Sequence, residues 1–379
     1  MNVRPVIIGV TPHHPIDARN PTRPGELANA ISRSSRCARL DLVVRSRPRA
    51  LLRRATWLSG PRIGRWPLRR TRLGTNSDAL EHPWPFGYVE DRFLERLVRT
   101  TVAAAPGGAA VLIWDPKSAG VLKRLSDLGP SRLVRVLDAY DAWDLSPLVH
   151  GRRRQAAVVR GYESAAASAD VVLANSAFMA ERMRGLGARN VVRLPNGAPE
   201  RLTADQGAPA YFAYVGRIHE RVDATLLAAV ADAFPAVEIR IAGGVEREPA
   251  AWAALASRPN VRLIGPLEAV AARRLIAGAA ALLLPHVVDD YTRSQDPMKA
   301  WDALASGTPV VSTPLPPVTE WPEPLRLIGG DREAFVAAAR RALSGELRPA
   351  RDQMLALAAA NTWSARADAL LDAIEAARG

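Results

Sequence analysis

The chain has 379 residues, of which 48% are hydrophobic and 23% are charged. These values are ordinary for a globular protein, exclude a wholly disordered or fibrous one, and predict two or three domains. The formal net charge is +13, and the whole excess lies in residues 1–75, which hold 16 arginines and three acidic residues. Because the remaining residues balance and no nucleic-acid-binding motif occurs, we expect no nucleic-acid partner.

The single cysteine, Cys37, excludes an internal disulfide and a metal site built from cysteines. No apolar run approaches the roughly 18 residues of a transmembrane helix. The apolar run at 6–10 is also too short for the core of a signal peptide. We therefore expect a cytoplasmic protein that is soluble or lies peripherally on the inner membrane face.

Two series of short apolar runs predict two sheets. Runs that are apolar throughout and separated by helical segments are typical of parallel strands covered on both faces. The expected fold class is therefore α/β, with two Rossmann-like doubly wound domains facing a central cleft. The predicted strands are residues 6–10, 40–44, 110–114, 133–137, 171–175 and 191–195, then 211–216, 237–243, 261–265, 281–285 and 309–313. The predicted helices are residues 25–37, 90–104, 117–127, 152–168 and 177–186, then 222–233, 249–257, 268–279, 297–306 and 331–343.

A segment rich in proline, glycine and polar residues, 195–210, separates the two series. It predicts a first domain over residues 1–198 and a second over 208–350. The alanine-rich segment 351–379 is expected to be helical, with a break near 361–363. One alternative is that this segment crosses back to the first domain.

Residues 45–72 hold ten arginines together with Trp57 and Trp66 and predict an insertion in the first domain. Arginine interleaved with tryptophan suits an anionic membrane surface. The alternative is a solvated insertion whose arginines reflect a compositional bias.

Two segments of the second half have the composition of an anion site. Gly216, Arg217 and Arg221 follow a predicted strand and precede a helix, so two guanidinium groups lie beside a helix start, as a diphosphate requires. In the second segment, 292–313, Asp296 is a predicted N-cap for a helix that Gly307 ends. The alternatives are a solvated Gly-Arg turn and an ordinary capped helix. The polar side chains around that helix are Thr292, Arg293, Ser294, Lys299 and Asp302.

These segments resemble the donor-binding half of GT-B glycosyltransferases, in particular the bacterial family-four-like enzymes of the glycosyl transferases group 1. The resemblance covers about residues 133–375. Its most specific part is TRSQDPMKAWDALASGTPVVST. The supporting parts are VEIRIAGG, NVRLIGP, SADVVLANSAFMAERMRGLGARNVVRLPNGA and NTWSARADALL.

The resemblance implies a nucleotide-sugar donor held by the second domain. Arg217, Arg221 and Lys299 would hold the diphosphate, Asp302 the ribose or donor sugar, and Gly265 would line the base. The other members of the implied donor set are Gly216, Arg293 and Ser294. Neither a metal nor a further cofactor is expected, because arginine, lysine and a helix dipole neutralise the leaving diphosphate.

The sequence departs from the family pattern in two places. Many members carry two glutamates separated by seven residues, and the matching positions here are Ser294 and Asp302. Retention and inversion of configuration therefore both stay open. The glycine pair that usually follows the first strand is replaced by TPHHPIDARNPTRPGE, which makes the acceptor side unusual.

The acceptor side is expected in the first domain. The segment VLDAYDAWDLSP resembles an acidic segment of some relatives, and it makes Asp138 and Asp141 candidates for deprotonating or orienting an acceptor. The alternative is a loop of turn-forming aspartates. His14, after the first strand, is a third candidate, with its neighbours His13 and Arg19.

The expected function is transfer of a sugar from a nucleoside-diphosphate sugar to a small molecule of an antibiotic or other specialised-metabolite pathway. One alternative is a membrane-surface transferase that acts on a lipid-linked saccharide or polysaccharide. Two others are a non-catalytic nucleotide-sugar-binding protein and an epimerase of the same fold. The oligomeric state is left open.

Overall fold

The computed structural model describes residues 4–11, 21–45, 62–63, 66–67, 69–74, 76–82, 87–147, 149, 151–200, 211–323 and 325–379. The predicted acceptor residue His14 lies outside the described residues, as do His13 and Arg19. So does most of the arginine-rich segment, including Trp57.

The first sheet has the strand order β10-β9-β8-β7-β1-β2-β6-β5, and every pair is parallel except β5 with β6. Its strands are β1 (Val6–Thr11), β2 (Arg39–Arg45), β5 (Arg69–Gly74), β6 (Ser77–His82), β7 (Ala109–Ile113), β8 (Leu133–Ala139), β9 (Val171–Ala174) and β10 (Val191–Arg193). A separate two-stranded ribbon pairs β3 (Arg62–Ile63) with β4 (Trp66–Pro67). The helices that accompany the first sheet are α1 (Arg23–Arg33), α2 (Gly87–Ala103), α3 (Gly120–Arg124), α4 (Arg152–Ser168) and α5 (Ala177–Gly185).

The second sheet is parallel throughout, in the order β13-β12-β11-β14-β15-β16. Its strands are β11 (Tyr211–Val215), β12 (Glu238–Ala242), β13 (Val261–Gly265), β14 (Ala281–Leu284), β15 (Val310–Ser312) and β16 (Leu327–Ile328). The helices of this half are α6 (Ala224–Ala233), α7 (Trp252–Ala256), α8 (Ala269–Ala277), α9 (Asp290–Arg293), α10 (Met298–Ser306), α11 (Arg332–Leu343), α12 (Arg351–Ala360) and α13 (Trp363–Ala377).

The structure confirms that the apolar runs form two sheets. The central strands β7 and β14 are buried along their whole length, as two-sided coverage of a parallel sheet requires. The predicted helix at 25–37 ends early, at Arg33, where Ser34 takes an extended conformation. Sequence reasoning missed β6, because SDALEH lacks the continuous apolar run of the other strands.

The described chain divides into two compact units. The first includes β1, Thr22–Leu194 and Arg366–Gly379, and the second contains Pro195–Ala365. Each unit has its own apolar core. In the first, Phe93 and Tyr162 are almost fully buried, and in the second Phe212 and Phe335 are completely buried.

Each unit also holds part of the C-terminal helical segment. In the second, Ala198 forms a parallel bridge with Thr362, and its N–H donates to the Asn361 carbonyl at 2.8 Å. In the first, the Arg36 guanidinium forms ion pairs with Asp372 and Glu375 of α13, at 2.7 and 3.0 Å.

One glycine of the first unit marks a close packing contact. Gly161 lies in α4 where the helix meets the short turn that begins at Pro116. A Cβ atom at Gly161 would lie 2.0 Å from the Pro116 carbonyl oxygen. Only a residue without a side chain lets the helix approach this backbone.

Gly161→Ala is therefore expected to lower the free energy of unfolding by about 1–3 kcal/mol, because helix and turn must separate. The matched control is Gly185→Ala at the end of α5, where an added Cβ meets nothing within 4 Å. Urea unfolding of both variants checks this. Equal stabilities would contradict the packing argument.

Candidate functional site

The candidate site of the second unit begins at a glycine after β11. Gly216 has a φ of +143°, in the region that favours glycine. A Cβ atom at this position would lie 2.6 Å from the Lys299 Nζ atom. The glycine therefore lets a lysine from α10 approach the end of β11.

The Lys299 ammonium group has an unusual environment. It lies in the first turn of α10, and its Nζ atom is 4.5 Å from the centre of the Tyr214 ring. This atom is buried, and within the described residues it makes no hydrogen bond. Burial, and then the positive charge of Arg221, hold the pKa of Lys299 well below its ordinary value.

Arg221 is the second cationic group. Its Nη1 atom donates to Gln295 Oε1 at 3.3 Å, and its backbone carbonyl accepts from the Val287 N–H at 2.8 Å. Its Nε atom is buried with no partner in the part of the chain that the structure describes. The backbone bond fixes the loop after β11 against the segment that follows β14.

Two histidines complete the surroundings. His286 follows β14 and is 3% exposed, and its Nε2 atom has no hydrogen-bond partner among the described residues. Burial first, and then the charges of Lys299 and Arg221, hold the pKa of His286 well below its ordinary value. Burial and the charge of Arg221 lower the pKa of His219 to about 4, so both imidazoles are neutral at pH 7.

Arg221, His286 and Lys299, here named the basic cluster, each present a buried nitrogen with no partner in the described chain. Leaving a buried polar group unpaired costs free energy, more so when the group is charged. An anion with several acceptor oxygens would satisfy all three groups at once. The basic cluster is therefore a candidate anion site.

The remaining predicted donor residues do not join the basic cluster. Arg217 is 58% exposed and pairs with Glu246 at 3.1 Å, whereas Arg293 is 56% exposed and lies 3.6 Å from Asp290. Gly265 ends β13 with a φ of +83° and open space where a side chain would be.

The two positions that match the glutamate pair of the family have other partners. Ser294 is fully buried, and its hydroxyl donates to the Tyr291 carbonyl at 2.6 Å. Asp302 accepts from the Arg273 Nε atom of α8 at 3.0 Å. In this structure the hydroxyl of Ser294 is thus bound to its own turn, and the carboxylate of Asp302 to a neighbouring helix.

The predicted role of Asp296 as a helix cap is wrong. The N-cap of α10 is Pro297, which offers no side-chain acceptor. Asp296 is buried, and its carboxylate instead accepts from the Asn196 N–H at 2.5 Å and from the Trp301 indole N–H at 2.8 Å. It therefore anchors the first residues of the second unit to the segment that precedes α10. The end of that helix at Gly307, with a φ of +67°, is as predicted.

In the first unit, Asp138 lies at the end of β8 with its side chain fully buried. Arg23 donates to both of its oxygens, and the Trp114 indole N–H donates at 2.9 Å. The same guanidinium donates to the Leu194 carbonyl at 2.8 Å. A carboxylate held in this way is suited to positioning the strand ends around it.

Asp141 lies three residues further along and is half-buried. Its φ of 140° is rare for a residue with a side chain, and such strain concentrates at functional sites. The Tyr162 hydroxyl donates to its carbonyl at 2.5 Å, and the Asn175 amide lies 3.4 Å from its carboxylate. These contacts fix the backbone of Asp141 at the carboxyl edge of the sheet, where parallel sheets bind ligands.

The described residues offer neither a metal-ion cluster nor a membrane-spanning helix. They contain no group of three or more histidine, cysteine, aspartate or glutamate side chains arranged to hold a metal ion. None of their helices combines the length and apolar character needed to cross a membrane.

Comparison with known proteins gives a family and a fold. Residues 209–345 match the model of the family described as glycosyl transferases group 1. A trehalose-6-phosphate protein of E. coli bound with UDP-2-fluoro glucose is similar with a TM-score of 0.66 at 9% identity, over 97% of this chain and 98% of that one. No curated protein matches the sequence.

Two other solved structures have the same fold. The apo form of the lipopolysaccharide outer core galactosyltransferase WaaB has a TM-score of 0.61 at 14% identity, over 98% of this chain and 99% of its own. AviGT4, a glycosyltransferase involved in avilamycin A biosynthesis, has a TM-score of 0.58 at 17% identity, over 99% and 98%. At such identities the likeness concerns the fold.

The two parallel sheets and the similar structures show the GT-B fold, and residues 209–345 of the second unit are similar to the glycosyl transferases group 1. The fold expected from the sequence is confirmed, and the match of residues 209–345 agrees with the expected class.

Lys299→Met is expected to raise the free energy of unfolding of the ligand-free protein at pH 7 by about 1 kcal/mol or more. Methionine fills the same space without burying an unpaired amine. The control is Lys123→Met, an exposed lysine of α3, where a change below about 0.5 kcal/mol is expected. Urea unfolding without added anions measures both. A destabilised Lys299→Met would show that the amine has a partner after all.

Proposed function

We propose that the basic cluster binds the diphosphate of the sugar donor and that the chain transfers the sugar to an acceptor hydroxyl. The observation that carries this proposal is the convergence of three buried nitrogens without partners on Arg221, His286 and Lys299. Their environment favours a ligand that is anionic and rich in acceptor oxygens. A diphosphate between a nucleoside and a sugar has both properties.

The proposed chemistry follows from the charge that develops during transfer. The bond between the sugar carbon and the diphosphate oxygen breaks, and negative charge accumulates on the departing diphosphate. Cationic groups that are already in place stabilise this charge without reorganisation. We infer that the side chains of Arg221 and Lys299 supply that stabilisation, so the proposed mechanism includes no metal ion. The tight approach of Lys299 at Gly216 fixes its position before the donor arrives.

Arg217 and Arg293 are proposed to contact the donor in a different way from the basic cluster. Each is more than half exposed, and each pairs with a surface carboxylate, Arg217 with Glu246 and Arg293 with Asp290. Such surface pairs contribute little to stability and exchange readily. We propose that both arginines turn to the donor once it is bound. Gly265 is proposed to leave room for the base.

For the acceptor we propose Asp141. As the new bond forms between the acceptor oxygen and the sugar carbon, the hydroxyl proton passes to the Asp141 carboxylate, which also orients the hydroxyl. The strained backbone at Asp141 supports this choice, since its conformation is maintained by bonds from Tyr162 and Trp143. Asp138 is proposed as a positioning group because its oxygens are occupied by Arg23 and Trp114.

The proposed acceptor is a small molecule of an antibiotic or other specialised-metabolite pathway. The similarity of the chain to AviGT4, which is involved in avilamycin A biosynthesis, supports this choice. The fold also occurs in the galactosyltransferase WaaB of the lipopolysaccharide outer core. A second candidate is therefore a saccharide acceptor at an anionic membrane surface, bound with the help of residues 45–72. Either acceptor is consistent with the proposed cytoplasmic location.

Sedimentation with vesicles distinguishes these two acceptor classes. Salt-sensitive binding to vesicles of phosphatidylglycerol, with no binding to phosphatidylcholine, would favour the saccharide acceptor. Absence of binding at about 50 mM salt would favour the small molecule, since electrostatic attraction to anionic lipids is strong at low ionic strength.

The donor proposal is tested by removing one charge at a time. Arg221→Ala and Lys299→Ala are each expected to weaken the binding of UDP, GDP or dTDP, whichever binds the wild type, by tenfold or more. The control is Arg258→Ala, which removes an arginine that pairs with Asp232 on the surface. Isothermal titration calorimetry measures the affinities. If none of the three nucleotides binds the wild type, the donor proposal is wrong.

Asp141→Asn is expected to lower kcat about 100-fold or more and to leave nucleotide affinity unchanged, because the amide cannot take the acceptor proton. Asparagine tolerates positive φ, so the fold should persist. The comparison is Asp138→Asn, which should reduce thermal stability by unpairing Arg23. Transfer assays with the identified donor check both. If Asp141→Asn transfers sugar at the wild-type rate, another group accepts the proton. If the wild type binds the donor but transfers no sugar, the chain is a nucleotide-sugar-binding protein.

A further inference from the structure

His286 is the member of the basic cluster that the sequence analysis did not find. It directly follows the Pro285 that closes β14. Its backbone is fixed twice, by a bridge with Val222 and by the Thr313 hydroxyl, which donates to its carbonyl at 2.7 Å. The ring is buried, yet its Nε2 atom has no hydrogen-bond partner anywhere in the described chain.

The surroundings of this ring are cationic. The titratable groups that act on His286 are Lys299 from α10, Arg221 from the loop after β11 and His219 of that loop. The carboxylates of this region, Glu220 and Glu246, act on His219 instead. A histidine with a structural role in a core normally donates or accepts a hydrogen bond there. An imidazole nitrogen that is buried, unpartnered and next to two cations is suited to an anionic ligand.

We propose that His286 donates a hydrogen bond from Nε2 to the diphosphate, and that the basic cluster takes up a proton when the nucleotide binds. This inference rests on the proposed function and adds to it a binding residue and a pH dependence.

The coupling has a definite sign. In the empty site, burial and mutual repulsion favour the neutral forms of Lys299 and His286 and lower both pKa values. A bound diphosphate brings negative charge to the same place and raises them again. Between the two pKa values of each group the complex holds more protons than the free protein, so affinity falls as the pH rises through that interval. The proton comes from the buffer and no covalent step is involved.

The test uses the full chain and the three nucleotides UDP, GDP and dTDP. At pH 8.5 the terminal phosphate of each is already ionised, so a proton taken up on binding goes to the protein. Titration calorimetry in two buffers with different ionisation enthalpies gives the number of protons. We expect uptake of about half to one proton, and an affinity that decreases between pH 7 and pH 9. Binding with no proton uptake at any pH in this range would overturn the coupling.

The variant His286→Phe keeps the ring and its burial and removes the nitrogen. We expect it to weaken nucleotide binding about tenfold or more, with no loss of melting temperature in the absence of ligand. His286→Gln, which restores an N–H donor, should recover part of the affinity. Unchanged affinity in His286→Phe would overturn the assignment of this residue.

If His286→Phe unfolds, the assignment of His286 is tested with His286→Gln alone. Affinity equal to that of the wild type, with uptake of the same number of protons, would exclude a titrating role of His286, whereas lower affinity with less uptake would support it. Failure of all three nucleotides to bind the wild type would instead refute the donor proposal. The two failures are therefore distinguishable.

Discussion

The second unit contains one unfavourable feature on which its proposed site depends, namely buried basic nitrogen atoms that have no hydrogen-bond partner among the described residues. Lys299 and Arg221 each present a buried nitrogen that finds no partner in the described chain, and the Lys299 Nζ atom lies 4.5 Å from the centre of the Tyr214 ring. Such an arrangement reduces stability, and the rest of the unit must compensate. Under the proposed function a diphosphate supplies the missing partners, and the positions of these groups are already set when the sugar departs.

The surrounding fold holds this arrangement in place. The sheet of the second unit is parallel, so the loop after β11 and the segment after β14 leave it at the same edge. Hydrogen bonds join the two, from the Val287 N–H to the Arg221 carbonyl and from the Asp223 N–H to the Pro285 carbonyl. Asp296 then fixes the segment before α10 against Asn196. The position of each cationic group is thus determined by backbone bonds and by a buried carboxylate.

In the first unit, by contrast, a buried charge is paired with an opposite charge. Arg23 and Asp138 form a buried ion pair, the Leu194 carbonyl accepts a further bond from Arg23, and the Trp114 indole N–H donates to Asp138. Breaking this pair would leave one buried charge uncompensated, which is far more destabilising than the pair itself is stabilising. Asp141, three residues away and half-buried, accepts from the Tyr162 hydroxyl through its carbonyl and from the Asn175 amide through its carboxylate. The two carboxylates therefore lie in different environments, one fully buried in an ion pair and the other half-buried.

The sequence by itself determined the two parallel sheets and the helix that carries Lys299, because continuous apolar runs and a glycine stop are local signals. It also singled out Gly216 and Arg221. The tertiary structure decided which side chains meet. Arg23 and Asp138 are 115 residues apart, and Asp302 and Arg273 lie on different helices, so no local pattern reveals either pair. His286 was missed for the same physical reason: a lone histidine after a strand becomes part of an anion site only when folding places Arg221 and Lys299 beside it.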